Sequence, residues 1–171
     1  QGEHSASETD IHLSGWLVQQ KELFSLRAPG RTCIEALRSN PEIGKPALNH
    51  SKGCGGVMRV APIGMLFHAL TLTCPNASSE HFHRSFALGC DAAALTHGHP
   101  TGYLTAGVMA ALVFDLLDGI DLRSAINRVL PLLKARGRHE ETLVAIEATL
   151  RLHEASIEPI EAIHELGEGW V

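Results

Sequence analysis

Apolar residues recur every three or four positions along most of the chain, and one face of an α-helix requires this spacing. The clearest stretch runs from Thr101 to Leu117 and is apolar almost all round, which is typical of a helix at the centre of a bundle. No segment shows a convincing strand-like alternation, and no repeat of fixed period occurs. The pattern therefore predicts an all-α fold built as a multi-helix bundle.

The other helices are predicted from apolar stripes that lie between turn-forming residues. Their predicted ranges are 11–26, 32–39, 60–70, 78–95, a segment that follows Asp121 and reaches Leu133, 139–155, and a short helix that opens at Glu158 and closes at Gly167. Residues 1–10 are polar without a period and are expected to form a loose arm.

Local signals mark the ends of several predicted helices. Ser78 or Ser79 is expected to cap one helix and Asp121 another, because a short polar side chain can accept from the first free N–H groups. Pro131 lies inside an apolar stripe and is expected to kink or shorten its helix, since proline cannot donate to the helical ladder.

Composition narrows the class of protein. The chain has 171 residues, of which 44% are hydrophobic and 19% charged, as in a single soluble domain. Its formal net charge of −5 argues against a general nucleic-acid binder, which is usually basic. No apolar run approaches the roughly 20 residues of a membrane-spanning helix, so no membrane partner is expected. The four cysteines form no CxxC pair, which favours reduced thiols in a cytoplasmic protein.

The most unusual segment is the glycine loop, defined as Ser51, Lys52, Gly53, Cys54, Gly55 and Gly56. Glycine permits positive φ and close approach of a ligand, and successive N–H groups can form a concave anion site. The apolar run that follows is expected to be a helix with Pro62 in its first turn, and a loop entering a helix N-terminus suits phosphate. From spacing alone, a tight turn between two core helices is the favoured alternative.

A second polar segment, Leu95 to Tyr103, lies between two predicted helices and contains His97 and His99. His97 can donate to a phosphate or a ribose hydroxyl. The alternative is a histidine at a helix end that bonds the last carbonyls of its own helix.

Two other chemistries use the same residues. Cys54 in the glycine loop would act as a nucleophile if His97 lay within reach as a base, and the alternative is a small buried thiol. The pairs His81/His83 and His97/His99 offer imidazoles to zinc, but nothing at metal-site spacing joins them. We therefore predict no metal site formed by this chain alone.

Taken together, the segments Ser51–Pro62 and Leu95–Pro100 resemble the ADP-ribosylglycohydrolase family. The order of the surrounding elements fits as well, including Ala28–Gly30, Leu116–Gly119 and Leu166–Val171. The resemblance spans nearly the whole chain. It implies an orthogonal all-α bundle and an enzyme that hydrolyses the glycosidic bond between ADP-ribose and an acceptor.

The resemblance also implies a substrate and a site. The partner would be an ADP-ribosylated protein or a small ADP-ribosyl compound. The glycine loop, Ser51–Gly56, would wrap the diphosphate and the neighbouring ribose, and His97 would line the same cleft. Cys54 stands where many members have asparagine, which removes one expected hydrogen bond to the ligand.

Magnesium is the main departure from the family pattern. Members typically hold two Mg²⁺ ions, which activate the attacking water, through an early Thr-Asp-Asp and a late Asp-x-Asp-Thr motif. Neither motif occurs here, and Thr9–Asp10 is followed by Ile11. We therefore expect the Mg²⁺ ligands to lie outside this chain, which would be the central piece of a longer domain and inactive alone. The alternative is a catalytically inactive helical module that binds ADP-ribose or a partner protein.

Overall fold

A computed structural model describes residues 30–167 of the chain, except positions 41 and 43. Within that part the chain forms seven α-helices and no β-strand, so the all-α prediction is confirmed. The helices are α1 (Arg31–Ser39), α2 (Ala61–Thr73), α3 (Ser78–Ala94), α4 (Pro100–Leu117), α5 (Leu122–Lys134), α6 (Glu140–Glu154) and α7 (Pro159–Leu166). The predicted arm over 1–10 and the predicted helix over 11–26 lie outside the described residues.

Helix α4 is the centre of the bundle, as its apolar surface predicts. It packs against α2, α3, α5 and α6. Small residues allow the closest of these approaches, since a Cβ on Gly89 of α3 would lie 2.8 Å from the Cβ of Ala110 in α4. The surrounding core contains the aromatic side chains of Phe67, Phe82, Phe86 and Phe114.

Helix α4 also has the length and composition of a helix that could cross a bilayer. Its 18 residues come close to the roughly 20 residues of a membrane span, although the sequence analysis predicted that no apolar run would approach this length. However, 56% of this window is buried inside the bundle, and the core helix of a soluble protein has the same properties.

The helix ends follow the sequence signals only in part. The Asp121 side chain accepts from the N–H of Ser124 at 3.0 Å and caps α5, as predicted. The predicted serine cap of α3 is wrong, because a 3₁₀ turn over Pro75–Ala77 leads directly into the helix and Ser78 is already its first residue. Pro131 does not end α5. It lies in the last turn of the helix, which continues to Lys134.

One carboxylate among the described residues is fully buried. Asp115 of α4 is 0% exposed, and its Oδ1 accepts from Arg128 of α5 at 2.8 Å. The guanidinium of Arg128 also lies 4.7 Å from the ring centroid of Phe82. Oδ2 of Asp115 has no hydrogen-bond partner within the part of the chain that the structure describes. Burial raises the pKa of Asp115 to about 6, although the charge of Arg128 acts in the opposite direction.

Candidate functional site

The glycine loop lies against the corner between α3 and α4, and Asn49 holds the two segments together. Its Nδ2 donates to the carbonyl of Thr96 at 2.9 Å. Its Oδ1 accepts from the N–H of Gly98 at 2.9 Å and from the N–H of Ser51 at 3.1 Å. One amide side chain therefore joins the two segments that the sequence analysis singled out.

His97 lies beneath the glycine loop and is 1% exposed. Its Nδ1 is 2.8 Å from the hydroxyl of Thr96, and Arg59 donates to that same hydroxyl at 2.6 Å. The same hydroxyl also donates to the carbonyl of Ala93 at 3.5 Å, so Thr96 joins His97, Arg59 and the end of α3. Nε2 faces Gly53 and Gly55. Burial lowers the pKa of His97, and the charge of Arg59 lowers it further, so the ring is neutral at pH 7.

The hydrogen bond with Thr96 argues against one of the two interpretations of His97, a side chain that bonds the last carbonyls of its own helix. The side chain does not cap the last carbonyls of α3. Arg59 does so instead, because its guanidinium donates to the carbonyl of Ala92 at 2.7 Å. The imidazole is therefore directed towards the glycine loop.

The loop glycines are needed for close packing and not for an unusual backbone conformation. None of Gly53, Gly55 and Gly56 has a positive φ, so the loop does not use the conformational freedom that glycine permits. A Cβ on Gly55 would lie 3.1 Å from Cε1 of His97, and a Cβ on Gly56 would lie 2.9 Å from the Cβ of Ala93. Side chains at these positions would push the loop away from the corner.

The glycine loop does not enter an α-helix directly. A 3₁₀ turn over Val57–Arg59 follows it, and α2 then begins with Pro62 in its first turn, as predicted. The N–H of Gly53 donates to Oγ of Ser51 at 3.2 Å. Within the described part of the chain, no hydrogen bond uses the N–H of Cys54 or of Gly55. These two adjacent donors therefore find no acceptor among the described residues.

The charges around the loop are mainly basic. Nζ of Lys52 lies 2.6 Å from Oε1 of Glu141, in the first turn of α6. The pKa of His99 is lowered, first by burial and then by the charge of Lys52, with Arg138 and His50 acting in the same direction. Glu141 is the acid that opposes them. Basic groups therefore outnumber acids among the charges that act on His99.

The other candidate chemistries are not supported by the geometry. The Cys54 thiol is exposed and lies 3.7 Å from the sulfur of Met58, and no hydrogen bond joins it to His97. Nδ1 of His99 caps α4 by accepting from the N–H of Thr101. His81 is buried and bonded to the hydroxyl of Thr71 at 2.9 Å. These side chains have structural partners of their own.

The whole sequence matches one known family. The sequence model of the ADP-ribosylglycohydrolase family matches residues 1–171. The chain belongs to the ADP-ribosylglycohydrolase family. This confirms the resemblance carried by the glycine loop and the His97 segment. No solved structure matches the chain.

The ADP-ribosylglycohydrolase family is metal-dependent in general. Across residues 30–167 as described, no three His, Cys, Asp or Glu side chains lie close enough to hold a metal ion. Glu141, the acid beside the loop, is bonded to Lys52. The described residues therefore do not fit the ion.

Sequence reasoning missed three residues of the candidate site: Asn49, Arg59 and Glu141. Asn49 lies just before the glycine loop and Arg59 lies just after it. An amide or guanidinium so close to a glycine cluster could have indicated that it anchors the loop. Glu141 is 89 positions from Lys52, and no local pattern could have joined them.

Proposed function

We propose that this chain provides the ADP-ribose-binding part of an ADP-ribosylglycohydrolase domain, which hydrolyses the glycosidic bond between ADP-ribose and an acceptor. The observation that carries the proposal is the packing of the glycine loop on a buried, neutral His97, where the N–H groups of Cys54 and Gly55 have no hydrogen-bond partner among residues 30–167 as described. Adjacent backbone donors of this kind suit the oxygens of a diphosphate.

The proposal assigns a different part to each group of the site. The backbone of Gly53–Gly56 would surround the diphosphate, and the hydroxyl of Ser51 fixes the start of the loop through Gly53. His97 supports the loop from below, with Nε2 facing Gly53 and Gly55. Lys52 belongs to the loop, but its ammonium group is already paired with Glu141.

The wider setting is part of the same proposal. The substrate would be an ADP-ribosylated protein or a small ADP-ribosyl compound, since both present the diphosphate that the loop would bind. Mg²⁺ is proposed for the complete domain on the strength of family membership, where it would supply an activated water. A cytoplasmic location is proposed because the four cysteines are free thiols.

The direct test is calorimetric titration of the protein with ADP-ribose, with AMP and ribose 5-phosphate as comparators that each lack the diphosphate. We expect weak, saturable binding of ADP-ribose and weaker binding of both comparators. Gly55→Ala should reduce the affinity, because its Cβ would displace the loop from His97. Gly137→Ala is the matched control, since a Cβ there meets nothing within 4 Å.

Hydrolysis is tested separately, with ADP-ribosyl-arginine and ADP-ribosyl-serine peptides and Mg²⁺, on this chain and on a longer chain that includes both acidic motifs. Turnover by the longer chain together with ADP-ribose binding by this chain supports the proposal. Binding without turnover by either chain supports a non-catalytic ADP-ribose-binding module. A folded protein that does not bind ADP-ribose contradicts both functions.

A further inference from the structure

The glycine loop is attached to the rest of the bundle on both sides. Before it, Asn49 bonds to the α3–α4 corner through Thr96 and Gly98. After it, Arg59 bonds to the carbonyl of Ala92 at the end of α3. Between these two anchors the backbone of the loop packs against His97, Ala93 and Gly102, and among the described residues these contacts involve no charged group other than the side chain of Lys52 beside them.

Among the described residues, Lys52 forms the one ion pair between the glycine loop and another element. Its Nζ lies 2.6 Å from Oε1 of Glu141, and the side chains are 39% and 52% exposed. Glu141 is well placed to remain ionised, because the hydrogen bond from Lys52 lowers its carboxyl pKa. Its position in the first turn of α6 also places a negative charge at the positive end of the helix dipole.

We propose that Lys52 and Glu141 form a tether that positions the glycine loop, so that the Lys52 ammonium acts on the loop through Glu141 and not on the ligand. Both are positioning residues in this sense. The effect on ADP-ribose rests on the proposed function, whereas the effect on the loop itself does not.

The competing possibility is that Lys52 contacts the ligand directly. The structure favours the tether, because an anionic ligand would have to displace a carboxylate that already lies at hydrogen-bonding distance from Nζ. The two possibilities predict different relations between the single variants. A tether is lost equally when either end is removed, whereas a direct ligand contact is lost only when Lys52 is removed.

The experiment measures amide hydrogen exchange of the loop without ligand, and ADP-ribose affinity by calorimetry, on the same set of variants. The reporters are the N–H of Gly53, bonded to Ser51, and the N–H of Met58, bonded to the carbonyl of Cys54. The variants are Lys52→Met, Glu141→Gln, and the double charge reversal Lys52→Glu with Glu141→Lys. Glu140→Gln is the matched control. It removes the same charge from the same helical turn, and Glu140 forms no ion pair with any other described residue.

We expect Lys52→Met and Glu141→Gln to speed exchange at both reporters by the same factor, on the order of two- to fivefold, as the strength of an exposed ion pair allows. The double reversal should restore slow exchange, and Glu140→Gln should leave it unchanged. ADP-ribose affinity should fall by a similar factor in the two single variants and recover in the double reversal. Melting temperatures show whether any variant has lost its overall fold.

Unchanged exchange in both single variants would overturn the tether. So would a loss of ADP-ribose affinity in Lys52→Met that Glu141→Gln does not share and the double reversal does not restore. If the exchange results are as expected but no variant, nor the unaltered protein, binds ADP-ribose, then the tether stands and the proposed function fails.

Discussion

Cε1 of His97 lies 3.1 Å from the position that a Cβ would occupy on Gly55. The loop and the imidazole therefore form one packed unit, in which the missing side chain creates the space that the ring fills. Close contacts of this kind explain why the loop contains several glycines. Their backbone conformations alone would also be accessible to other residues.

Gly56 gives the sharpest test of this packing. A Cβ there would lie 2.9 Å from the Cβ of Ala93 and 3.1 Å from the carbonyl oxygen of Gly102. We expect Gly56→Ala to lower the free energy of unfolding by about 1–3 kcal/mol, because a methyl group inserted into a packed site forces its neighbours apart. Urea unfolding measures the change. Gly137→Ala, where the space is open, should leave the midpoint unchanged or slightly raised. Equal midpoints for the two variants would contradict the packing argument.

Asn49 is expected to stabilise the corner more than any surface asparagine. Its amide makes three hydrogen bonds, to Thr96, Gly98 and Ser51. Asn49→Ala leaves those backbone groups unpaired and should cost about 1–3 kcal/mol of unfolding free energy. Asn127→Ala, on the exposed face of α5, is the comparison and should be neutral or mildly stabilising. An Asn49→Ala variant as stable as Asn127→Ala would show that these bonds are replaced by water without loss.

The helices were predictable because each depends on a local period that the sequence displays. The apolar surface of the Thr101–Leu117 stretch, for example, predicts both a helix and its central place. The Asp121 cap was predictable for the same reason, since the donor lies three residues away. The Ser78 cap was not, because a preceding 3₁₀ turn had already started the helix and removed the need for a cap.

The candidate site was predictable only as two separate segments. Both contain residues of an unusual kind, and the resemblance to a family joined them. Their actual contacts depend on Asn49 and on the packing of α3 against α4, which are properties of the folded chain. Lys52 shows the limit most clearly: the resemblance places it in the loop that would wrap the diphosphate, whereas the structure pairs its side chain with Glu141 on a distant helix.

His97 should make the protein sensitive to mild acid. Burial lowers its pKa from the ordinary value of 6.5, so the unfolded chain binds a proton at a pH where the folded ring does not. Stability is therefore lost as the pH falls through 6.5 towards the lowered value. In His97→Gln this part of the pH dependence should vanish. Unfolding free energies of both proteins between pH 5 and pH 8 test it, and parallel curves would contradict it.

Asp115 should give the opposite pH dependence of stability, and it should do so at lower pH than His97. Its folded pKa, raised to about 6 from 3.8, means that the folded state holds a proton that the unfolded state has released. The contribution to stability is complete below about pH 4 and is lost as the pH rises through about 6. The shift corresponds to roughly 3 kcal/mol at most. Asp115→Asn cannot ionise, so the wild type should lose stability relative to this variant between pH 4 and pH 6.

The difference between the two unfolding curves is the quantity to measure, because it cancels the titration of all other groups. Asp118→Asn is the matched control: Asp118 is an exposed acid near the end of the same helix, and its charge contributes only a minor part of the Asp115 shift. That variant should keep most of the wild-type pH dependence. If the wild type instead gains stability over Asp115→Asn as the pH rises from 4 to 6, then the ion pair with Arg128 outweighs burial. The unpartnered Oδ2 would in that case carry less cost than its complete burial implies.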